Sequence, residues 1–195
     1  WTMLAHHQGE LLDQSKLASA LAISGQTVSR YIDLLCDLML VRRLPAWHGN
    51  VGKRLIRSPK VYVRDSGLVH ALLGLSNLDA VLGHPVAGSS WEGFVVEQLV
   101  NAAPNAQASF YRTSNGAEVD LVLTFRNQQT WVIEIKRSSA PTVSRGFHQA
   151  AVDLGAVRKL LVVPVEQTYP MKEHIEVVDV LTAVRWVTEQ DQSNG

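Results

Sequence analysis

The chain has 195 residues, of which 46% are hydrophobic, and its 18 Lys and Arg residues balance its 18 Asp and Glu residues to a formal charge of zero. This composition excludes an intrinsically disordered chain, which would have fewer apolar residues and more net charge. It also argues against a protein that binds a polyanion over its whole surface. The length allows one large domain or two small ones.

The single cysteine, Cys36, cannot form an internal disulfide, which favours a reducing, cytoplasmic setting. No apolar run approaches the roughly 18 residues that a membrane span needs, so we expect no membrane partner. The first residue is Trp1 rather than Met, and we therefore expect the sequence to be a fragment of a longer protein.

The basic residues are distributed unevenly. The segment from Leu38 to Arg64 has no Asp or Glu and contains seven of them: Arg42, Arg43, Lys53, Arg54, Arg57, Lys60 and Arg64. The other 168 residues carry 11 basic and 18 acidic residues, a charge of −7. A positive segment attracts phosphate backbones whatever the charge of the whole chain, although a solvated surface hairpin would show the same pattern.

Residues 15–35 predict a helix-turn-helix. A short Ala- and Leu-rich helix begins at Ser15, and Ser24 is a good N-cap for a second helix. The apolar residues that recur at helical spacing in the second helix, and are expected in the core, are Val28, Tyr31, Ile32 and Leu35. Near the start of this helix, where a recognition helix contacts DNA, the residues left facing outward are Gln26, Thr27, Ser29 and Arg30.

Two strand-like segments, Leu38–Leu44 and Lys60–Arg64, flank a polar loop around Trp47–Arg57. A helix-turn-helix followed by such a hairpin predicts a winged helix, with the basic residues on the wing. The residues predicted to contact nucleic acid there are Lys53, Arg54, Arg57 and Lys60. Winged helices also pack against proteins, so a packing role is the alternative. Asp65 or Ser66 is expected to cap the next helix.

Residues 74–90 are rich in Gly, Asn, Pro and Ser, and we place a boundary there between a winged-helix domain at 1–83 and a second domain at 84–195. The second domain begins with a helix whose apolar face includes Glu92. A carboxylate on a core-facing stripe is costly without a partner, which makes Glu92 a candidate functional residue. Glu97 is expected on the solvent side of the same helix.

Two β-rich segments on either side of a short polar turn predict a hairpin in the second domain. If its loop centres on Asn127, Asp120 lies opposite Glu134. If the loop centres on Gln128, Asp120 lies opposite Lys136 instead. Either arrangement needs an odd-numbered loop, and three residues is a common length. The hairpin therefore brings two acids and a lysine to one face of a sheet.

Two carboxylates that lie close together repel each other, and a cation such as Mg²⁺ or Mn²⁺ relieves that repulsion. The predicted ligands are Asp120, Glu134, Glu92 from the helix, and the backbone carbonyl of Ile135. Lys136 would help a water molecule attack or stabilise a negative transition state. The pattern predicts metal-assisted phosphodiester hydrolysis with Glu92, Asp120, Glu134 and Lys136 as catalytic residues. The alternative is a simple salt bridge between Glu134 and Lys136 on an exposed strand.

At these residues the sequence resembles the PD-(D/E)xK nuclease superfamily. The run Glu118-Val119-Asp120 replaces its Pro-Asp element, Glu134-Ile135-Lys136 is its (D/E)xK element, and Glu92 maps onto its helix glutamate. Gln149 is a weaker candidate for a glutamine on a later helix. The resemblance implies a restriction-endonuclease-like domain, and the expected fold class is α/β (mixed α+β), with a mixed sheet flanked by helices.

Over nearly its whole length the chain is also similar to the uncharacterised C-terminal domain of bacterial and archaeal AAA-type ATPases. The matching runs are residues 24–31, 60–62, 65–68, 91–95, 110–112, 118–120 and 132–136. This resemblance implies an N-terminal ATPase domain in the same protein, and the present sequence contains no Walker-type phosphate-binding motif.

We therefore expect the C-terminal module of an ATPase, in which a DNA-binding winged helix is joined to a divalent-metal-dependent nuclease domain. The expected partners are DNA and the ATPase domain. The sequence leaves open whether the chain also forms a homo-oligomer. The alternative is a non-catalytic DNA-binding, regulatory or protein-interaction module that keeps a nuclease-like scaffold.

Overall fold

The computed structural model describes residues 1–49, 51–138 and 140–193. Contacts within the chain divide it into two compact units. The first unit consists of Trp1–Leu44 and Ser58–Phe94, and the second consists of Pro45–Arg57 and the chain from Val95 onward. This division differs from the one expected from composition, because residues 45–57 join the second unit and the later boundary follows Phe94.

The first unit contains helices and a two-stranded sheet. Its elements are α1 (Thr2–His6), α2 (Gln14–Leu21), α3 (Gly25–Asp37), β1 (Val41–Leu44), β2 (Lys60–Val63), α4 (Ser66–Leu72), α5 (Leu78–Gly83) and the beginning of α6 (Ala87–Ala102). β1 and β2 are antiparallel, with Val41 opposite Val63. Two predicted N-caps are confirmed, since Ser24 accepts the Thr27 N–H at 3.1 Å and Asp65 accepts the Leu68 N–H at 2.7 Å.

The core of the first unit confirms most of the pattern predicted for the second helix. Val28 and Ile32 of α3 are buried, and Leu35 packs against them from a partly buried position. Tyr31 was predicted in this core, and that prediction is wrong, because its side chain is 61% exposed. Tyr31 follows Arg30 in the sequence, and both residues lie on the solvent-facing side of α3.

The second unit is built around a six-stranded mixed sheet, as the expected fold class requires. Its elements are β3 (Gln107–Arg112), β4 (Glu118–Thr124), β5 (Thr130–Ile135), α7 (Arg145–Asp153), β6 (Arg158–Val162), β7 (Tyr169–Met171), β8 (Ile175–Val178) and α8 (Val180–Gln192). The strand order is β3-β4-β5-β6-β8-β7. The central strands β5, β6 and β8 are parallel and the outer pairs are antiparallel. Helix α7 crosses over between β5 and β6 and buries Phe147 and Ala150 against the sheet.

The described residues of the segment 45–57 (45–49 and 51–57), which we call the strap, lie along β3 at one edge of this sheet. The Trp47 N–H donates to the Phe110 carbonyl at 2.7 Å, and the Ile56 N–H donates to the Arg112 carbonyl at 2.9 Å. Trp47, Val51 and Leu55 pack against the core between the sheet and α7. The loop predicted to be an exposed wing is therefore hydrogen-bonded to the edge of the second unit.

Among the described residues, no helix is both long and apolar enough to cross a membrane.

The start of α7 depends on a close approach that only glycine allows. A Cβ added to Gly146 would lie 2.6 Å from the Gly116 carbonyl oxygen and 3.2 Å from the Ala117 Cα, both backbone atoms. We expect Gly146→Ala to lower the free energy of unfolding by about 1–3 kcal/mol through overpacking. Gly88, also the second residue of a helix, has nothing within 4 Å of its added Cβ. Urea unfolding should show Gly88→Ala to be neutral or stabilising, and equal effects of the two variants would contradict this account.

Candidate functional site

The hairpin formed by β4 and β5 sets the geometry of the predicted site. Leu121 pairs with Ile133 and Thr124 with Thr130, which centres the connection on Asn127. The Gln128 N–H donates to the Phe125 carbonyl at 2.9 Å, and Gln128 has a φ of 64°. This is a three-residue loop with a left-handed last residue, a common hairpin geometry. Of the two registers that the sequence left open, the structure has the one that places Asp120 and Glu134 opposite each other.

Asp120 is held at the end of the hairpin by the backbone of β5. Its side chain is buried, and its Oδ2 accepts a hydrogen bond from the Ile135 N–H at 3.0 Å. A carboxylate thus takes the place of a backbone acceptor at the point where the β4–β5 ladder ends. This bond fixes the Asp120 side chain beside the last residues of β5.

Glu134 lies next to Asp120 and is equally buried, with 6% of its surface exposed. Lys136 is two residues further along and its Nζ lies 2.7 Å from Glu134 Oε1, while 42% of its side chain is exposed. Burial, and after it the charge of Asp120, raise the pKa of Glu134 from 4.5 to about 7, although the hydrogen bond from Lys136 acts in the opposite direction. Glu134 therefore changes its charge near neutral pH.

We expect the raised pKa of Glu134 to make the protein less stable as the pH rises from about 4.5 to about 7. The unfolded chain releases this proton near pH 4.5 and the folded chain near pH 7. The free-energy cost to folding therefore grows across this pH range and is complete above it. The penalty is at most about 3.5 kcal/mol, given about 1.4 kcal/mol for each pH unit. Glu134→Gln should remove it and be more stable than wild type at pH 8, but not at pH 4.

Urea unfolding at the two pH values measures this effect. Glu166, an exposed loop carboxylate, provides the matched control Glu166→Gln. Equal pH dependence in wild type and Glu134→Gln would contradict the assigned environment of Glu134.

Glu92 has its described partners in the first unit. Its Oε1 accepts hydrogen bonds from Lys60 Nζ at 3.0 Å and from the Tyr62 hydroxyl at 2.6 Å. The prediction that a core-facing Glu92 needs a partner agrees with this geometry. The role of Glu92 as a metal ligand and catalytic residue stays a prediction.

Lys60 differs from what its sequence context indicated. Its side chain is 5% exposed and is paired with Glu92, so its charge acts within the first unit rather than on a solvent-facing wing. The alternation along β2 places Lys60 and Tyr62 on one face of the strand. This alternation was the available sequence signal, but it does not reveal that Glu92, 32 residues away, is the partner.

Helix α6 also carries an acid that is buried, contrary to the expectation from sequence. Glu97 was expected on the solvent side of α6, and this expectation is wrong, because the residue is 8% exposed. Its Oε1 accepts a hydrogen bond from Asn101 Nδ2 at 3.0 Å. The spacing of four residues between the two side chains was a signal for this pair.

The residues predicted for DNA contact lie in different environments. On α3, Gln26 and Arg30 are exposed, whereas Thr27 and Ser29 are half-buried. On the strap, Arg54 and Arg57 are exposed. Lys53 Nζ donates to both carboxylate oxygens of Asp153, at 2.7 and 2.6 Å. The strap cations therefore divide into one that anchors the strap and two that face solvent.

The carboxylates present suit a weakly held divalent ion. Within the described residues, no three or more His, Cys, Asp or Glu side chains come together as a group able to hold a metal ion. Mg²⁺ is commonly bound by one or two carboxylates together with water and substrate phosphates. Asp120 and Glu134 would meet that requirement, and a cation between them would relieve the repulsion by Asp120 that, after burial, raises the pKa of Glu134.

Two family matches divide the chain. Residues 1–79 match the family described as Domain of unknown function (DUF8612), and residues 87–183 match Domain of unknown function (DUF4143). The second match contains Glu92, Asp120, Glu134 and Lys136, the four residues predicted to be catalytic.

Full-length relatives extend well beyond this sequence. The chain is 42% identical over 178 residues to the uncharacterized proteins Rv2008c of Mycobacterium tuberculosis and Mb2031c of Mycobacterium bovis. The alignments cover 91% of this chain and 40% of each relative, so the chain spans about two fifths of the length of the curated relatives it matches.

One solved structure shows a distant likeness. It is a chain of the refined half-complex from the tetradecameric assembly of Thermococcus gammatolerans McrB AAA+ hexamers with bound McrC. The match covers 83% of this chain and 65% of that chain, with 11% identity and a TM-score of 0.33. A TM-score of this size does not establish a shared fold.

Proposed function

We propose that the second unit is a divalent-metal-dependent nuclease module that hydrolyses phosphodiester bonds. The observation that supports this most directly is the pair of buried carboxylates on adjacent strands, Asp120 and Glu134, with the Lys136 ammonium 2.7 Å from Glu134. Two buried acids with one lysine are costly as a purely structural arrangement, since burial alone disfavours their charges. An arrangement of this cost is typical of a functional site.

The roles of the residues follow from their positions. Asp120, fixed by the Ile135 N–H, and Glu134 would be the side-chain ligands of the ion, and the Ile135 carbonyl remains the predicted backbone ligand. A bound divalent ion would polarise the phosphodiester and lower the pKa of a water molecule. Lys136 is exposed enough to donate to a phosphate oxygen as negative charge develops there.

The direct test is to incubate the chain with end-labelled duplex and single-stranded DNA in the presence of Mg²⁺ or Mn²⁺. We expect cleavage that requires the metal and is abolished by EDTA. Calorimetric titration with Mn²⁺ should show binding to wild type and weaker binding to Asp120→Asn. The absence of metal-dependent cleavage at protein excess on both substrates would overturn the proposal.

An exposed apolar surface on the first unit favours a role in protein contact. Three apolar residues of and next to α3, namely Tyr31, Leu34 and Leu38, are more than half exposed. A contiguous exposed apolar face is more typical of a protein interface than of a DNA-reading helix. Our second candidate function is therefore a protein-interaction or regulatory module.

We place the ATPase link in this second proposal. It is supported by the resemblance of the motif runs to the C-terminal domain of AAA-type ATPases, and by curated relatives that are much longer than this chain. Copurification of the full-length protein with ATP-hydrolysing activity, absent from the 195-residue chain, would test it.

A further inference from the structure

The strap brings two exposed arginines to the end of the sheet at which the carboxylate pair lies. The Ser114 N–H donates to the Arg54 carbonyl at 3.0 Å, and Leu55 forms a bridge with Thr113. Thr113 and Ser114 directly follow Arg112, the last residue of β3, which pairs with Glu118 at the start of β4. Asp120 is two residues further along β4. Arg54 and Arg57 therefore lie at the same end of the sheet as Asp120.

The distance from the strap to the carboxylates suits a nucleic-acid backbone. The strap, β3, β4 and β5 follow one another across the sheet. Neighbouring strands lie about 4.8 Å apart, so the strap is about 10–15 Å from the pair on β4 and β5. A nucleic-acid strand carries one phosphate for about each 3.4 Å of helix axis, so this distance corresponds to three or four nucleotides.

Two further cations surround the same end of the sheet. Arg137 follows Lys136 after the end of β5 and is exposed. Arg145, also exposed, begins α7, whose second residue Gly146 packs against the turn at Gly116 that leads into β4. Positive charge thus flanks the carboxylate pair from three separate chain segments.

The strap is held firmly enough to position its arginines. Asp153 at the end of α7 accepts hydrogen bonds from Lys53 at 2.6 and 2.7 Å, from the Tyr111 hydroxyl at 2.8 Å and from Gln149 at 2.9 Å. The Asp153 side chain is only 9% exposed, so its carboxylate is largely enclosed by these partners. A preorganised binding segment loses less conformational entropy when a ligand binds.

The outward side of α3 is a weaker attractant for phosphate. Arg30 is exposed there, but the same helix carries Asp33, whose carboxylate pairs with Arg43 at 2.7 Å, and Asp37. Tyr31 and its exposed apolar neighbours add no positive charge. The electrostatics therefore favour the second unit over the helix-turn-helix as the place where a polyanion binds.

We propose that Arg54 and Arg57 of the strap, together with Arg137 and Arg145, form a phosphate-binding surface that holds a nucleic-acid backbone across the end of the sheet beside Asp120 and Glu134. The inference rests on the proposed function, because it names the substrate backbone of that same site. It assigns the strap arginines to the unit that would cleave, in place of the DNA-reading wing predicted from the sequence.

The test is fluorescence anisotropy with a fluorescein-labelled 20-base-pair duplex, the full 195-residue chain, and EDTA at pH 8 so that no metal-dependent cleavage interferes. Arg54→Gln/Arg57→Gln should weaken binding about tenfold or more at low salt. It should also reduce the slope of log K against log salt by about 1.8, since each lost phosphate contact contributes about 0.9. The matched control is Lys172→Gln/Arg185→Gln, which removes two exposed cations elsewhere in the second unit and should change affinity less than twofold.

A second variant shows whether the duplex passes the carboxylates. Asp120→Asn removes a negative charge that repels phosphate in the absence of metal, and its amide oxygen still accepts the Ile135 N–H. We expect it to tighten binding by about two- to fivefold, a Coulomb effect at close range. An unchanged affinity would place the nucleic acid away from the pair and overturn the inference.

The outcomes separate this inference from the proposed function. Equal losses in the strap variant and its control, or no binding by wild type, overturn the inference even if the chain cleaves DNA with Mg²⁺. A strap-specific loss of binding without any cleavage by wild type supports the binding surface and overturns the nuclease proposal. Circular dichroism and thermal unfolding of each variant confirm that the fold is retained before the affinities are compared.

Discussion

Under the proposed nuclease function, Lys136→Met should cleave DNA about 100- to 10,000-fold more slowly than wild type with Mg²⁺ or Mn²⁺ present. A positive group that acts on charge developing in the transition state typically contributes this much to the rate constant. Lys136 is exposed on one side and contacts Glu134 on the other, so methionine retains the aliphatic stem while losing the ammonium group. The measurement is the single-turnover rate constant on a labelled duplex at saturating enzyme.

The control for this prediction is Lys172→Met, which removes an exposed lysine from a turn near β7 and should leave the rate unchanged. A rate for Lys136→Met within threefold of wild type would show that the contact with Glu134 is only structural.

Glu92→Gln should lower the free energy of unfolding by about 3 kcal/mol, because it removes the carboxylate that pairs with the nearly buried Lys60 ammonium. Lys60 is almost inaccessible and bonds to the same Glu92 oxygen as the Tyr62 hydroxyl. Removing both charges in Lys60→Met/Glu92→Gln should cost less than the sum of the single changes, since an uncharged pair has no unpaired ion to desolvate. Urea unfolding of the four proteins provides this comparison.

This double-mutant cycle also tests the role that the resemblance assigns to Glu92. Glu189→Gln, on the exposed side of α8, is the matched surface control and should change stability by less than about 0.5 kcal/mol. If Glu92→Gln is as stable as wild type but fails to cleave DNA, the contact with Lys60 is secondary and Glu92 is needed for cleavage. If it is destabilised while the folded fraction still cleaves, Glu92 is a structural residue of the first unit.

The elements of the candidate site were predictable because short-range patterns determine them. Asp120 and Glu134 lie within one hairpin, and strand periodicity alone limits which side chains share a face. The choice between two registers was not predictable, because Arg126-Asn127-Gln128-Gln129 lacks the Asn-Gly or Asp-Gly pair that specifies a tight turn. The left-handed conformation of Gln128 decides it in the folded chain.

The remaining differences come from contacts between residues far apart in sequence. The strap has the polar, basic composition of a wing, and only its hydrogen bonds to β3, more than fifty residues later, show that it belongs to the second unit. Lys60 has the composition of the same basic segment, yet its partner Glu92 lies beyond two intervening helices. The composition of a segment does not reveal which distant residues it will contact, and those contacts determine whether its charges face solvent or are paired within the fold.

The interleaving of the two units along the chain has a consequence for their biogenesis. The strap belongs to the second unit but precedes residues 58–94 of the first, so neither unit is a continuous stretch of polypeptide. During synthesis the strap emerges well before β3 and has no edge to pair with until that strand follows. Meanwhile the first unit must fold around a chain excursion whose two ends, Leu44 and Ser58, it brings together at a modest entropic cost. Folding of the first unit thereby fixes both ends of the strap and shortens the search by which it finds its place on the sheet, which couples the assembly of the second unit to that of the first.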